Sequence, residues 1–284
     1  MKILAVLIVL VLVASIAFVF RPGFGSFERW LAPNADLWPK WQTQDAASKA
    51  EIDHSEWSEF LEKYLSQDEK GVALVDYGAV TSADRTALDN YIQRLSDIQI
   101  AAHNRGVQLA YWINIYNALS VQVVLDNYPV ESIRDIKISP GLFDLGPWGK
   151  ALVTIDGEPL TLNDIEHRIL RPIWRDPRLH YVLNCASIGC PNLGGSAYSA
   201  GGIEADLDTA ARDYVNSDRG VRVVDGQISV SKIYDWFVED FGGTEQAVLE
   251  HLSIYAGPEL DAQLASIGGI SGQHYDWALN GAVR

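Results

Sequence analysis

Residues 107–125 read VQLAYWINIYNALSVQVVL. Apolar side chains occupy this stretch nearly all the way round a helical wheel, which predicts a helix buried on every side at the centre of the fold. Asn114 and Asn117 interrupt it three positions apart, hence on one face. A buried amide is costly unless bonded, so each needs a fixed partner. Such a pair serves either to pin a neighbouring loop, with residues 184–191 as the candidate, or to position a substrate or oxyanion. Pinning is the ordinary role of polar groups in a core helix.

Working outward, Ile52, Trp57, Phe60, Leu61, Tyr64 and Leu65 approximate helical spacing over 47–65. Thr81 or Ser82 is placed to cap a helix carrying Leu88, Tyr91, Ile92 and Leu95. Asp156-Gly157 and Asp225-Gly226 are hairpin signals. Thr161 with Asp164 three residues on resembles a capping box opening a helix through Leu170. A strand is expected over 179–183, then a small-residue loop from Asn184 to about Gly202. Helices are expected over 204–215, 231–241, 244–256 and 259–267. The class is α+β: a helix-rich single domain over 51–284 with a small, mostly antiparallel sheet, and a papain- or transglutaminase-like arrangement as the finer expectation.

Residues 3–20 are an uncharged run, apolar at every position but Ser15, between Lys2 and Arg21. As a helix they rise about 27 Å, close to a bilayer's hydrocarbon core. Residues 1–21 therefore read as an N-terminal membrane anchor or signal peptide, and 22–50, rich in Pro and Gly, as a linker. Either reading exports the domain to the cell envelope, anchored at the inner membrane or released to the periplasm. With Lys2 and Arg21 set aside, 20 basic residues face 37 acidic ones, a net charge of −17. That balance repels phosphate backbones and excludes nucleic acid as an expected partner.

The two cysteines lie in 180–191, HYVLNCASIGCP. Cys185 suits a nucleophile at a turn, and helical N–H groups after it would lower its pKa. His167 is the best imidazole, with Asp164 on the same helix face or Glu166 as its orienting carboxylate, and His180 as runner-up. Asn184 or Asn114 would then assist an oxyanion. The alternative is a Cys185–Cys190 disulfide, favoured by an even count in an oxidising compartment. A metal site from His167, Cys185 and Cys190 ranks third, for want of a fourth ligand, and no cofactor is implied. Among the aromatics, Trp112 and Tyr116 have helical spacing, while Trp148, in the loop 139–150, is the groove candidate.

AYWINIYNAL (110–119), LTLNDIEHRIL (160–170), LNCASIGCPNL (183–193) and the closing YDWALN (275–280) together resemble domain-of-unknown-function family 547, found in bacterial exported proteins and in plants. The resemblance spans roughly residues 50–280 and implies a shared scaffold without attaching a reaction to it. Two functions follow from the residues. One is a membrane-tethered thiol hydrolase or acyltransferase acting on peptide-like or amide substrates; the other is a non-catalytic envelope module whose disulfide-stapled loop contacts a partner.

Overall fold

The computed structural model describes residues 25–140 and 146–282. The expected anchor over 1–21 and part of the 139–150 loop lie outside the described residues. Among those described, no helix is long and apolar enough to cross a membrane.

Helix α1 (Ser55–Tyr64) starts later than its apolar spacing suggested, because the Asp53 carboxylate accepts the Ser55 N–H at 2.9 Å and sets the boundary. Strands β1 (Leu65–Gln67) and β2 (Ala73–Val75) pair antiparallel behind it. Thr81 caps α2 (Ser82–Ser96) by accepting the Asp84 N–H at 3.1 Å. The quoted segment forms α3 (Arg105–Asn127), and every residue from Val107 to Leu125 except Gln122 is buried.

Strands β3 (Val153–Ile155) and β4 (Glu158–Leu160) are joined by Asp156-Gly157, both at positive φ as a tight hairpin turn requires. The capping box is reciprocal: Thr161 N–H donates to Asp164 at 3.0 Å, and Asp164 N–H to Thr161 Oγ1 at 2.9 Å. The helix it opens is π-wound over Asp164–Leu170 before a final α-turn, Arg171–Trp174. The expected strand over 179–183 does not form. Asp176 caps a 3-10 turn, Pro177–Tyr181, with proline in its first position, where a helix tolerates it best. The apolar side chains there report burial, not a ladder.

Helix α4 (Ile203–Val215) precedes an antiparallel hairpin, β5 (Val221–Val224) and β6 (Gln227–Ser231). The helix expected over 231–241 is two short turns, Ile233–Trp236 and Val238–Phe241, broken at Phe237. Helices α5 (Glu245–Tyr255) and α6 (Pro258–Ser266) follow. A strand unforeseen in the sequence, β7 (Ile270–His274), then pairs parallel with β6.

Two buried clusters result. The larger surrounds α3 and takes in Trp41, Trp57, Leu162 and Leu183; the smaller joins Tyr181 and Tyr214 to Ile228, Phe241 and Leu252. Trp41 is 4% exposed and packs edge-on against Trp112 at 5.2 Å. The stretch expected as a linker therefore contributes to the core from its second half. It is also tied by its backbone: Asp36 and Trp38 N–H groups donate to the His167 and Arg168 carbonyls at 2.9 and 3.0 Å. These two carbonyls are left free inside the helix because Pro172, which would serve them, has no N–H.

The tail 275–282 crosses the molecule in extended form. Ile188 and Gly189 N–H groups donate to the Ala278 and Asp276 carbonyls, both at 2.8 Å, and Tyr77 donates to Asn280 at 2.9 Å. A Cβ on Gly189 would sit 2.8 Å from the Asp276 nitrogen, so the close backbone approach requires glycine.

Candidate functional site

A cleft of about 400 Å³ opens at the seam between the two clusters. A groove of about 490 Å³ beside α2 is larger, but Asp89 and Asp97 are its only ionisable groups and it has no aromatic wall. The seam cleft has both. Trp277 lies 4.6 Å from Tyr275, 5.6 Å from Trp236 and 5.9 Å from Trp148, centroid to centroid. Glu166, His167, His180, Arg134 and both cysteines line the same space. Size, apolar walls and a few converging polar groups are the marks of a small-molecule site.

Glu166 reaches the cleft because the element carrying it is π-wound rather than ideal. Its Oε2 accepts the Tyr116 hydroxyl at 2.8 Å. Its Oε1 lies 3.9 Å from His167 Nδ1 and 4.0 Å from His180 Nδ1, beyond hydrogen-bond reach of either. No donor among the described residues serves that oxygen.

Behind the carboxylate sits a paired network. Asp240 accepts from His180 Nε2 at 2.6 Å and from Arg171 Nε at 2.5 Å. Burial pushes the Asp240 carboxyl up, but these two bonds outweigh it and hold the group well below the usual carboxylate range. Arg171 Nη1 also lies 3.0 Å from His167 Nδ1. A guanidinium only donates, so Nδ1 accepts and the ring proton of His167 resides on Nε2. Burial lowers the His167 pKa to about 4, with Arg171 adding to the effect and Glu166 opposing it. Phe237 stacks on His180 at 4.5 Å, and the Arg171 guanidinium lies 4.6 Å from the same ring.

The two sulfurs are joined: Cys185–Cys190 is a disulfide with Cα atoms 6.2 Å apart. Of the candidate catalytic residues, Glu166, His167, the runner-up His180 and the two cysteines reach the cleft, whereas Asp164, Asn114, Asn117 and Asn184 do not line it. The dyad expected from the sequence is not assembled, since the sulfur of Cys185 is committed to Cys190 and His167 Nδ1 to Arg171. Nor does Asp164 orient His167; its carboxylate is taken by Thr161 and Arg168. No helical turn follows Cys185, because Ala186 stands in the left-handed region (φ 58°).

The three asparagines hold loops. Asn114 donates to the Tyr198 carbonyl at 2.8 Å and accepts its N–H at 2.9 Å. Asn117 donates to the Val182 carbonyl and accepts the Asn184 N–H, both at 2.8 Å. Asn184 donates to the Pro191 carbonyl at 2.7 Å and accepts the Ala186 N–H at 2.8 Å. With both ends of each amide occupied, none is aimed at an oxyanion. Trp148 and Tyr116 do line the cleft, whereas Trp112 is core.

Arg134, Arg171, Phe237, Asp240 and Trp236 were not legible as site residues. The only hint lay in YDWALN, whose Tyr275 and Trp277 both face the cleft. Among the described residues, no group of three or more His, Cys, Asp or Glu side chains could hold a metal ion.

No curated protein and no solved structure matches the chain. Residues 100–215, which hold α3, the π-wound element, the disulfide loop and α4, match the family model described as Protein of unknown function, DUF547, and over that segment the resemblance carried by the motifs holds.

Proposed function

We propose that this chain is an exported envelope module, tethered through residues 3–20, that binds peptide-like ligands in the seam cleft, with the Cys185–Cys190 disulfide stapling the loop at its floor. The observation that carries this reading is the Glu166 carboxylate. Oxygen Oε1 has no donor among the described residues, although its side chain is only 12% exposed and aromatic rings line the same cleft. Such an oxygen gains most from a ligand ammonium or N–H group, and the rings favour the same charge. Arg134, on the same cleft and 5.0 Å from the Trp277 ring, makes no side-chain hydrogen bond among the described residues. It is available to a carbonyl or carboxylate. An amine and a carboxylate on one small body describe a peptide end.

Titrating the full chain in detergent with Ala-Ala, followed by tryptophan fluorescence, tests the reading. N-acetylation of the dipeptide and Glu166→Gln should each weaken binding about tenfold, the loss of one charge-assisted hydrogen bond. Equal binding of free and acetylated dipeptide, or an unaffected Glu166→Gln, overturns it.

A thiol-dependent hydrolase or acyltransferase is the second reading, supported by His180, which is bonded to Asp240 and lines the cleft that Cys185 also lines. It requires reduction first. Amide hydrolysis appearing only after dithiothreitol, and lost in Cys185→Ser, would establish it over simple binding.

A further inference from the structure

The two halves of the disulfide are not equivalent. Cys185 is partly exposed to the cleft, while Cys190 is 3% exposed. The buried sulfur has the Cys185 backbone N–H to itself at 3.0 Å, and the Tyr275 hydroxyl lies 3.2 Å away, its one proton shared among Cys190 Sγ, Cys185 Sγ and Ser187 Oγ. Burial raises the Tyr275 pKa, so the phenol keeps its proton and remains a donor. Arg219 brings a positive charge alongside, its Nη1 donating to the Cys190 carbonyl at 2.8 Å, while its buried Nε has no partner among the described residues. Cys185 Sγ has weaker company: the Ser187 and Tyr275 hydroxyls at 3.4 and 3.3 Å. Negative charge is therefore better accommodated on Cys190 than on Cys185.

We propose that Cys185–Cys190 is a thiol–disulfide exchange site for low-molecular-weight thiols entering the cleft, attacked at Cys185 Sγ with Cys190 Sγ as the leaving group. The incoming thiol loses its proton to solvent, and the thiolate lone pair forms a bond to Cys185 Sγ. The Sγ–Sγ bond breaks and its electron pair stays on Cys190, held by the Cys185 N–H and the Tyr275 hydroxyl. A second thiolate attacks the small-molecule sulfur of the mixed disulfide and expels Cys185 as a thiolate, which takes up a proton. Two thiols are oxidised to one small disulfide, and the protein disulfide is reduced to the Cys185 thiol and the Cys190 thiolate, the second proton remaining in solvent. This activity goes beyond the binding reading and does not depend on it, since neither Glu166 nor Arg134 takes part.

The full chain in its disulfide form is treated with cysteamine, whose ammonium suits a domain of net charge −17, then quenched with N-ethylmaleimide and mapped by mass spectrometry. Cysteamine should sit on Cys185 and maleimide on Cys190. An adduct on Cys190, an even split, or no adduct without denaturant overturns the proposal. Tyr275→Phe keeps the ring and removes the donor; it should slow mixed-disulfide formation about tenfold, and an unchanged rate counts against the proposal. Cys185→Ser supplies a check independent of Tyr275. Thiolate absorbance at 240 nm should titrate with a Cys190 pKa below the usual value of about 8.5. A value at or above that overturns the stabilised leaving group.

Discussion

Asn117 grips Asn184 across 67 residues of chain: the Asn184 N–H donates to Asn117 Oδ1 at 2.8 Å, while Asn117 Nδ2 holds the Val182 carbonyl. One amide in the central helix thus satisfies both edges of the segment leading to the disulfide. Asn117→Leu would leave a buried N–H and a buried carbonyl without partners, each costing about 1–3 kcal/mol. Urea unfolding should show a loss of roughly 2–5 kcal/mol. A change below about 1 kcal/mol would mean that water reaches this loop.

Three imidazoles make stability depend on pH in one direction. Burial lowers the pKa of His54, His167 and His251 to about 4 each. Their unfolded value is about 6.5. Between pH 6.5 and 4 the unfolded chain binds more protons than the folded one, so stability falls as pH falls through that window and is flat above it. Each group accounts for about 3 kcal/mol by the lower end. His251→Gln keeps a hydrogen-bonding partner for the Tyr181 hydroxyl, 2.7 Å from the imidazole, without titrating. Urea midpoints at pH 7.0, 5.5 and 4.5 should fall less steeply in this variant than in the parent.

Gly189→Ala tests the approach of the tail. The new Cβ would lie 2.8 and 2.9 Å from backbone atoms of Asp276, neither of which can swing aside like a side-chain tip. The tail must shift, breaking the Ile188–Ala278 and Gly189–Asp276 bonds. Hydrogen exchange at the Ile188 and Gly189 amides should accelerate by at least about tenfold, while amides in α3 keep their protection.

Trp41 belongs to the core although it precedes the first helix. Replacing it with alanine removes the edge-on contact with Trp112 and opens a cavity, at a cost of about 3–5 kcal/mol. A thermal melt unchanged by Trp41→Ala would return the whole 22–50 stretch to the role of a tether.

What could be read early was local. The Thr161/Asp164 box, the Thr81 cap and the two Asp-Gly hairpins each depend on atoms within a few residues, so composition at fixed offsets suffices to place them. The strand expected over 179–183 does not form because apolar residues report burial whatever the backbone does, and a cap followed by proline chose a 3-10 turn.

The amino-acid sequence by itself determined an α+β, helix-rich domain around α3, a strongly acidic charge balance, and the two asparagines as candidate loop pins. Tertiary structure alone decided that the thiols bond to each other, that His167 turns to Arg171 and His180 to Asp240, and that Glu166 is left facing an aromatic cleft. The reason is distance along the chain. Asp240 is 60 residues from His180 and Tyr275 is 90 from Cys185, and no periodicity or capping signal reaches that far.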